Sequence, residues 1–174
     1  MLKLALAAAA ATASASAPQA LSSTSPWWEK ITVTMVGDGD PQSCTYESNL
    51  STAPTDGCEV VGAKAGVTQA SAGSADEMTR ITFERRFIPG DSQPQPSEID
   101  PGDTLLGGQI MALAIDGGGK VNGCKVIAKS GDVTPDYGCE EASAEKFQPT
   151  ASSGSGDSVG FMTIMVYGHS ENVA

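Results

Sequence analysis

Two cysteine pairs in matching surroundings constrain this chain more than any other feature. Cys44 and Cys58 stand 14 positions apart, and Cys124 and Cys139 stand 15 apart. Each pair follows a strand-like segment and a Gly/Asp turn, Ile31 to Asp40 in one half and Ile110 to Gly119 in the other. Each is followed, beyond a Gly/Ser-rich stretch, by a further strand-like run, Thr79 to Phe87 or Val159 to His169. Four cysteines allow three connectivities, and the matching contexts favour the local one, Cys44–Cys58 and Cys124–Cys139. Each bridge would close a loop worth ~3 kcal/mol in the chain-entropy treatment. Zinc is the competing use of the cysteines. No CxxC spacing is present and His169 is the only histidine, so no metal site is expected.

The N-terminus explains why disulfides are admissible. Met-Leu-Lys precedes an apolar run from Leu4 to Ala11 that fades into Thr, Ala and Ser, with small-residue cleavage sites ending at Ala15, Ala17 or Ala20. Residues 1–20 therefore read as an export signal with its processing region, and about 155 residues would remain, one domain or two small ones. The alternative, a retained anchor, needs ~20 predominantly apolar residues, and this run is shorter and diluted. No stable membrane span is expected. Aromatic residues make up only 5% of the chain, against 20 Gly and 10 Pro. That means a thin core, the situation in which exported proteins use disulfides. The net charge of −11 opposes nucleic acid and anionic lipid as partners.

Periodicity places strands in both halves. Ile31, Val33 and Met35 alternate with Thr32 and Thr34. The turn Gly37–Asp40 leads into a second strand, about Gln42 to Ser48, that carries Cys44. Asp38 and Asp40 lack the remaining ligands of a calcium loop. Ile81, Phe83, Arg85 and Phe87 alternate with Thr82, Glu84 and Arg86, a strand with one charged face. Trp27 and Trp28 are expected to pack on the end of a sheet, the other reading being an exposed ligand platform.

The stretch 88–105 holds four prolines and reads as a linker between a first β-rich module, 21–87, and a second, 106–174. In the second, Met111, Leu113 and Ile115 lead into the turn Asp116–Gly119, and Lys120 to Lys129 return. Thr134–Pro135 carries the signals of a helix start, and Cys139, Ala142, Ser143 and Phe147 would share a face. The final run is apolar on both faces, Phe161, Met165 and Tyr167 against Met162, Ile164 and Val166, which suggests a central or covered strand. The fold class expected is α+β: tandem hairpin/helix/strand modules with antiparallel sheets, stapled by disulfides.

Residues 108–169 resemble the C-terminal domain of the TonB family of periplasmic energy transducers. The residues that carry the resemblance are Asp116, Gly119, Val121, Cys124, Val126, Ser130-Gly131, Asp136, Cys139, Phe147-x-Pro149 and the closing strand. Residues 30–87 follow by internal analogy, Gly39, Cys44 and Cys58 corresponding to Gly119, Cys124 and Cys139. The resemblance implies the fold and the habit of pairing with a peptide strand, with Phe161, Thr163, Met165 and Tyr167 as the candidate pairing edge; the alternative is that the two modules pair with each other by that edge and leave none free. Energy transduction is not carried over, because a transducer has an uncleaved anchor and a long Pro-rich spacer.

No catalytic residue is assigned. A Ser-His-Asp set would rest on His169 alone, which reads as an exposed strand-end residue, and there is no G-x-S-x-G elbow. Gly117-Gly118-Gly119-Lys120 lacks phosphate-loop spacing, the cysteines lack a CxxC redox arrangement, and no pair of carboxylates stands in an apolar setting. The reading is an exported periplasmic binding or adaptor module, not an enzyme and without a cofactor, whose partner is an envelope protein or peptide. The alternative is a non-catalytic structural protein of the envelope.

Overall fold

The computed structural model describes residues 20–22, 26–36, 40–50, 58, 77–91, 94, 98–148 and 157–172. The segment expected to be an export signal before residue 20, the expected turn at 37–39 and most of the Gly/Ser-rich stretch before residue 77 lie outside the described residues. The elements are β1 (Ala20–Ser22), β2 (Trp27–Val36), β3 (Asp40–Ser48), β4 (Glu77–Pro89), β5 (Thr104–Ile115), β6 (Val121–Gly131), α1 (Cys139–Ala144), β7 (Lys146–Gln148) and β8 (Ser158–Asn172).

Six strands form one antiparallel sheet in the order β3-β2-β4-β8-β5-β6. Strands β1 and β7 pair in parallel as a separate two-stranded sheet. The protein is thus sheet-rich, with one helix among the described residues and two disulfides. Both bridges close the local pairs, Cys44–Cys58 and Cys124–Cys139. The strand order is symmetric about the β4–β8 junction, which runs in register from Glu77↔Asn172 to Pro89↔Gly160. Because β4 and β5 are both antiparallel to β8, they are parallel to each other, and the connection between them has to cross β8. The ends of the Pro-rich stretch, Ile88–Pro89 and Thr104–Leu105, belong to β4 and β5.

Alternation assigns the faces. Trp27 and Ile31 of β2, Ile81, Phe83 and Phe87 of β4, Met162, Ile164 and Val166 of β8, and Met111, Leu113 and Ile115 of β5 share one buried cluster. Tyr137, Ala142 of α1 and Phe147 of β7 close over it. Phe87 meets Phe147 at 4.8 Å between ring centroids, tilted by 52°, and stacks on Trp27 at 6.1 Å. Trp27 is therefore a packing residue.

The turn Asp116–Gly119 explains how Phe147 reaches the core. Asp116 Oδ1 accepts the N–H groups of Gly118 and Lys120, both at 2.9 Å, and fixes the hairpin. Gly119 has φ +82°, and the Phe147 N–H donates to its carbonyl at 2.7 Å. A Cβ on Gly119 would stand 1.8 Å from the Phe147 carbonyl oxygen. Glycine is thus required twice, by the left-handed backbone and by the close approach.

Two local expectations are corrected. The helix begins at Cys139 and not at Thr134–Pro135, and Phe147 lies in β7. The cause is tertiary. Tyr137 is fully buried and its carbonyl accepts the Gln109 side-chain amide, so the chain stays extended up to Gly138. There the Glu141 carboxylate accepts the Gly138 N–H at 2.8 Å and starts α1. The charged face of β4 is present and largely covered: Glu84 is buried opposite the core, where the Tyr167 hydroxyl donates to it at 3.0 Å and the part-exposed Arg86 pairs with it, while Arg85 is buried in the core itself.

Candidate functional site

Arg85 sits at the centre of the buried charge network. Its alternation with Phe83 and Phe87 drives the guanidinium into the core, where it is only 2% exposed. A cation in that position needs partners, because desolvating an isolated charge costs several kcal/mol. Glu29 of β2 supplies one carboxylate, accepting from Nε at 2.5 Å, and Glu145, directly after α1, supplies the other. Tyr46 donates to Glu29 Oε2 at 3.1 Å, and Tyr137 donates to Glu145 Oε1 at 2.8 Å. The guanidinium carbon also lies 5.2 Å from the Trp27 ring centre and 4.8 Å from that of Tyr137. Burial works against the Arg85 charge, but Glu145, Tyr137 and Glu29 outweigh it and hold the cation well above its ordinary range. Burial, reinforced by Glu145 and opposed by Arg85, pushes the Tyr137 phenol up, so Tyr137 is a hydrogen-bond donor at any physiological pH. The network ties β2 and β4 to the segment that follows α1.

A second polar cluster holds the start of β5. Asp103 Oδ1 lies 3.0 Å from an Arg80 guanidinium nitrogen and 2.8 Å from His169 Nδ1, with its side chain 1% exposed. Burial raises the Asp103 carboxyl, but the hydrogen bonds from His169 and Arg80 and their charges prevail and lower it. His169 is thus half-buried in an ion cluster and not an exposed strand end. The neighbouring hydroxyls of Thr79 and Ser170 bond each other at 3.1 Å. Being adjacent in sequence to Arg80 and His169, they point to the opposite face of the sheet, so Ser170 is not aligned with the Asp–His pair.

The strand predicted to be the pairing edge is interior. Phe161, Thr163, Met165 and Tyr167 are in register with Ile88, Arg86, Glu84 and Thr82 of β4 on one side and with Ala112, Ile110, Gly108 and Leu105 of β5 on the other. The edge assignment is therefore corrected. A long apolar strand with a bare edge would be an aggregation site, and pairing on both sides removes that hazard. Within the six-stranded sheet, the strands paired on one side only are β3 and β6. They differ in chemistry. β3 begins Asp40–Pro41 and carries Glu47, which pairs with Lys30 at 3.0 Å. β6 runs from Val121 to Gly131 without proline or acid, carries Lys125 and Lys129, and leaves Ile127 38% exposed. The sequence reading treated β6 only as a return strand. The signal available was that the chain has 21 acidic residues but none between Lys120 and Gly131.

No helix among the described residues is long and apolar enough to cross a membrane, and no group of three or more metal-ligating side chains occurs among them. Comparison of the chain with protein-family models, with curated proteins and with solved structures found no match in any of the three.

Proposed function

We propose that this protein is an exported, non-catalytic binding or adaptor module of the periplasm, and that β6 is the edge at which it adds an extended peptide strand. The observation that carries the reading is the character of β6. It is an outer strand of 11 residues with no proline, no acid and an exposed isoleucine. Native sheets usually blunt such an edge with prolines, bulges, lysines and inward-pointing charges. β3 has the proline; β6 has Lys125 and Lys129 and register shifts opposite Ile110/Met111 and Ala114/Ile115, so the added strand is confined to the stretch between those shifts. The lysines on β6 select an acidic strand, with main-chain hydrogen bonds giving affinity and the charges giving register.

The same proposal reads the two halves as tandem modules of the TonB C-terminal kind. β2, β3 and β4 repeat the order of β5, β6 and β8, and each half has a disulfide from its second strand to the segment before its last. The last strands, which the resemblance assigns to peptide pairing, are spent on each other. The function then moves to the outer hairpin strands. The disulfides suit an oxidising compartment such as the periplasm.

Affinity capture from detergent-solubilised envelope, with disulfides intact, tests this. Lys125→Pro and Val126→Pro are compared in parallel, since neighbouring strand residues point their N–H groups to opposite sides. The expected result is a captured envelope protein whose binding perturbs the β6 amides in NMR and is lost in whichever folded proline variant blocks the outer edge. A partner that perturbs other surfaces, or none at all, would favour the structural-protein reading, which the intramolecular pairing of β4 with β8 supports.

A further inference from the structure

The regular part of β6, between its two register shifts, runs from Gly123 to Val126 opposite Ala114 to Met111. Met111 and Leu113 point into the core, so Ala112 and Ala114 face the other way, together with Gly123 and Lys125. Two rows of side chains cross the sheet on that face, Val159–Ala114–Gly123 and Phe161–Ala112–Lys125. They border an open depression of about 440 Å³, with Asp91 at its far side and Val159 left 45% exposed in it. Gly123 opens this depression toward the outer edge of β6. Its φ is not positive, so the backbone there does not call for glycine. A Cβ on it would have one described neighbour within 4 Å, the Ala114 Cβ at 3.3 Å. Glycine weakens a strand interior, and one without a backbone reason marks a close approach from outside.

We propose that the partner strand is recognised by an acid-x-aromatic sequence, the acid pairing with Lys125 and the aromatic ring lying over Gly123. This inference rests on strand addition at β6 and names the element that the edge reads. Every neighbouring pair in the six-stranded sheet is antiparallel, and an added strand that continues the ladder runs opposite to β6. Its residue opposite Lys125 then comes two positions before its residue opposite Gly123, and both turn to the face away from α1. A ring opposite Gly123 stands one strand spacing away, ~4.8 Å, so it covers the glycine and reaches Ala114. Charge decides which position takes the acid. Asp91 follows Gly90, whose N–H donates to the Val159 carbonyl at 2.8 Å, and Asp157 accepts from Asn122 at 3.3 Å. Both carboxylates therefore lie toward the Gly123 row, whereas the exposed Lys125 ends the other row. An acid is attracted at Lys125 and repelled at Gly123, where an uncharged ring fits. The residue between them turns to the face of the Cys124–Cys139 bridge.

Selection of random phage-displayed dodecapeptides on the disulfide-bonded protein tests the proposal, with the selected peptides then synthesised and titrated by backbone-amide NMR. The expected result is enrichment of Asp or Glu two positions before Tyr, Phe or Trp, with saturable shifts from Gly123 to Val126. Replacing the aromatic residue of a selected peptide by Ser should weaken it about 3- to 10-fold, the effect of a half-buried ring. Lys125→Glu, an exposed change, should turn the enriched acid into Lys or Arg and keep the aromatic. Ala114→Leu, which fills the depression from its floor, should do the reverse and keep the acid while losing the aromatic. Peptides that shift the β6 amides without an aromatic at that position, or whose charge preference ignores Lys125→Glu, would overturn this inference and leave strand addition standing. Peptides that shift only other surfaces, or a selection that yields none, would overturn both.

Discussion

Replacing Arg85 by methionine tests the most deeply buried ion pair among the described residues. The change keeps most of the side-chain volume and removes the one cation that Glu29 and Glu145 share in the core. Losing one partner of a buried pair costs about 3–5 kcal/mol, most of it the penalty of leaving the other charge buried and uncompensated. Here the buried Glu29 is stranded, Glu145 loses its Arg85 partner, and two ring contacts, to Trp27 and Tyr137, are lost with the guanidinium. The upper part of that range is therefore expected. At roughly 2–4 °C per kcal/mol for a chain of this size, the melting temperature should fall by roughly 8–20 °C. Thermal unfolding with disulfides intact measures the shift, and urea unfolding the free-energy loss, provided that the slope of the transition is unchanged. The reasoning makes a second demand. Adding Glu29→Gln and Glu145→Gln to the methionine variant removes the stranded charges, while the Tyr46 and Tyr137 hydroxyls keep acceptors. The triple variant should be more stable than Arg85→Met alone, although each glutamine change by itself destabilises the wild type. Arg85→Met within 1 kcal/mol of the wild type, or a triple variant less stable than the single one, would show that the network contributes little and that packing alone holds this face.

Two further predictions follow from particular contacts. Gly119→Ala meets both a left-handed backbone and a Cβ placed 1.8 Å from the Phe147 carbonyl, so a loss of about 2 kcal/mol or more is expected in the same urea assay, with Phe147 ring signals shifted in NMR. Asp103 is held below its ordinary carboxylate range, so its contribution is present above that range and lost as pH falls through the lowered value. Compared below the range in which histidine changes charge, because His169 Nδ1 lies 2.8 Å away, the stability difference between the wild type and Asp103→Asn should shrink as pH falls further, below about 4. A difference that grows in acid would contradict the assignment.

Much of the architecture is legible in the sequence because its signals are local. The Asp116–Gly119 turn, the alternation through Met111–Ile115 and Ile31–Met35, and the two cysteine pairs predict hairpins and staples that the structure contains. The limit is that alternation fixes which face a residue takes and says nothing about which strand lies beside it. For β8 the two arguments conflicted. Apolar residues on both faces pointed to the interior, and the family resemblance pointed to the edge. Residue physics gave the observed position, since Met162 and Met165 need cover on opposite faces at once. The helix start failed for a related reason. Thr134–Pro135 has the right chemistry for a cap, yet burying Tyr137 against Gln109 outweighs a cap worth about 1 kcal/mol.

The charge network was readable in part. Arg85 has the parity of Ile81, Phe83 and Phe87, and Glu29 has that of Trp27 and Ile31, so each lies on an otherwise apolar face. Two opposite charges, each alone on an apolar face, are a signal that the two faces meet, because neither is stable there without the other. Glu145 carried no such signal, lying after a helix whose boundary was displaced. Yet Glu145 gives the network its role. β2 and β4 would hold Arg85 with Glu29 alone, whereas the second carboxylate and Tyr137 bring in the segment around α1 from the other half of the chain. The pairing of β4 with β8 joins the halves through the backbone, and the Arg85 network joins them through the core. With the central strands locked twice, β3 and β6 are the strands of the six-stranded sheet that have no strand paired beyond them. Of these, only β6 lacks the proline and acids that discourage an added strand.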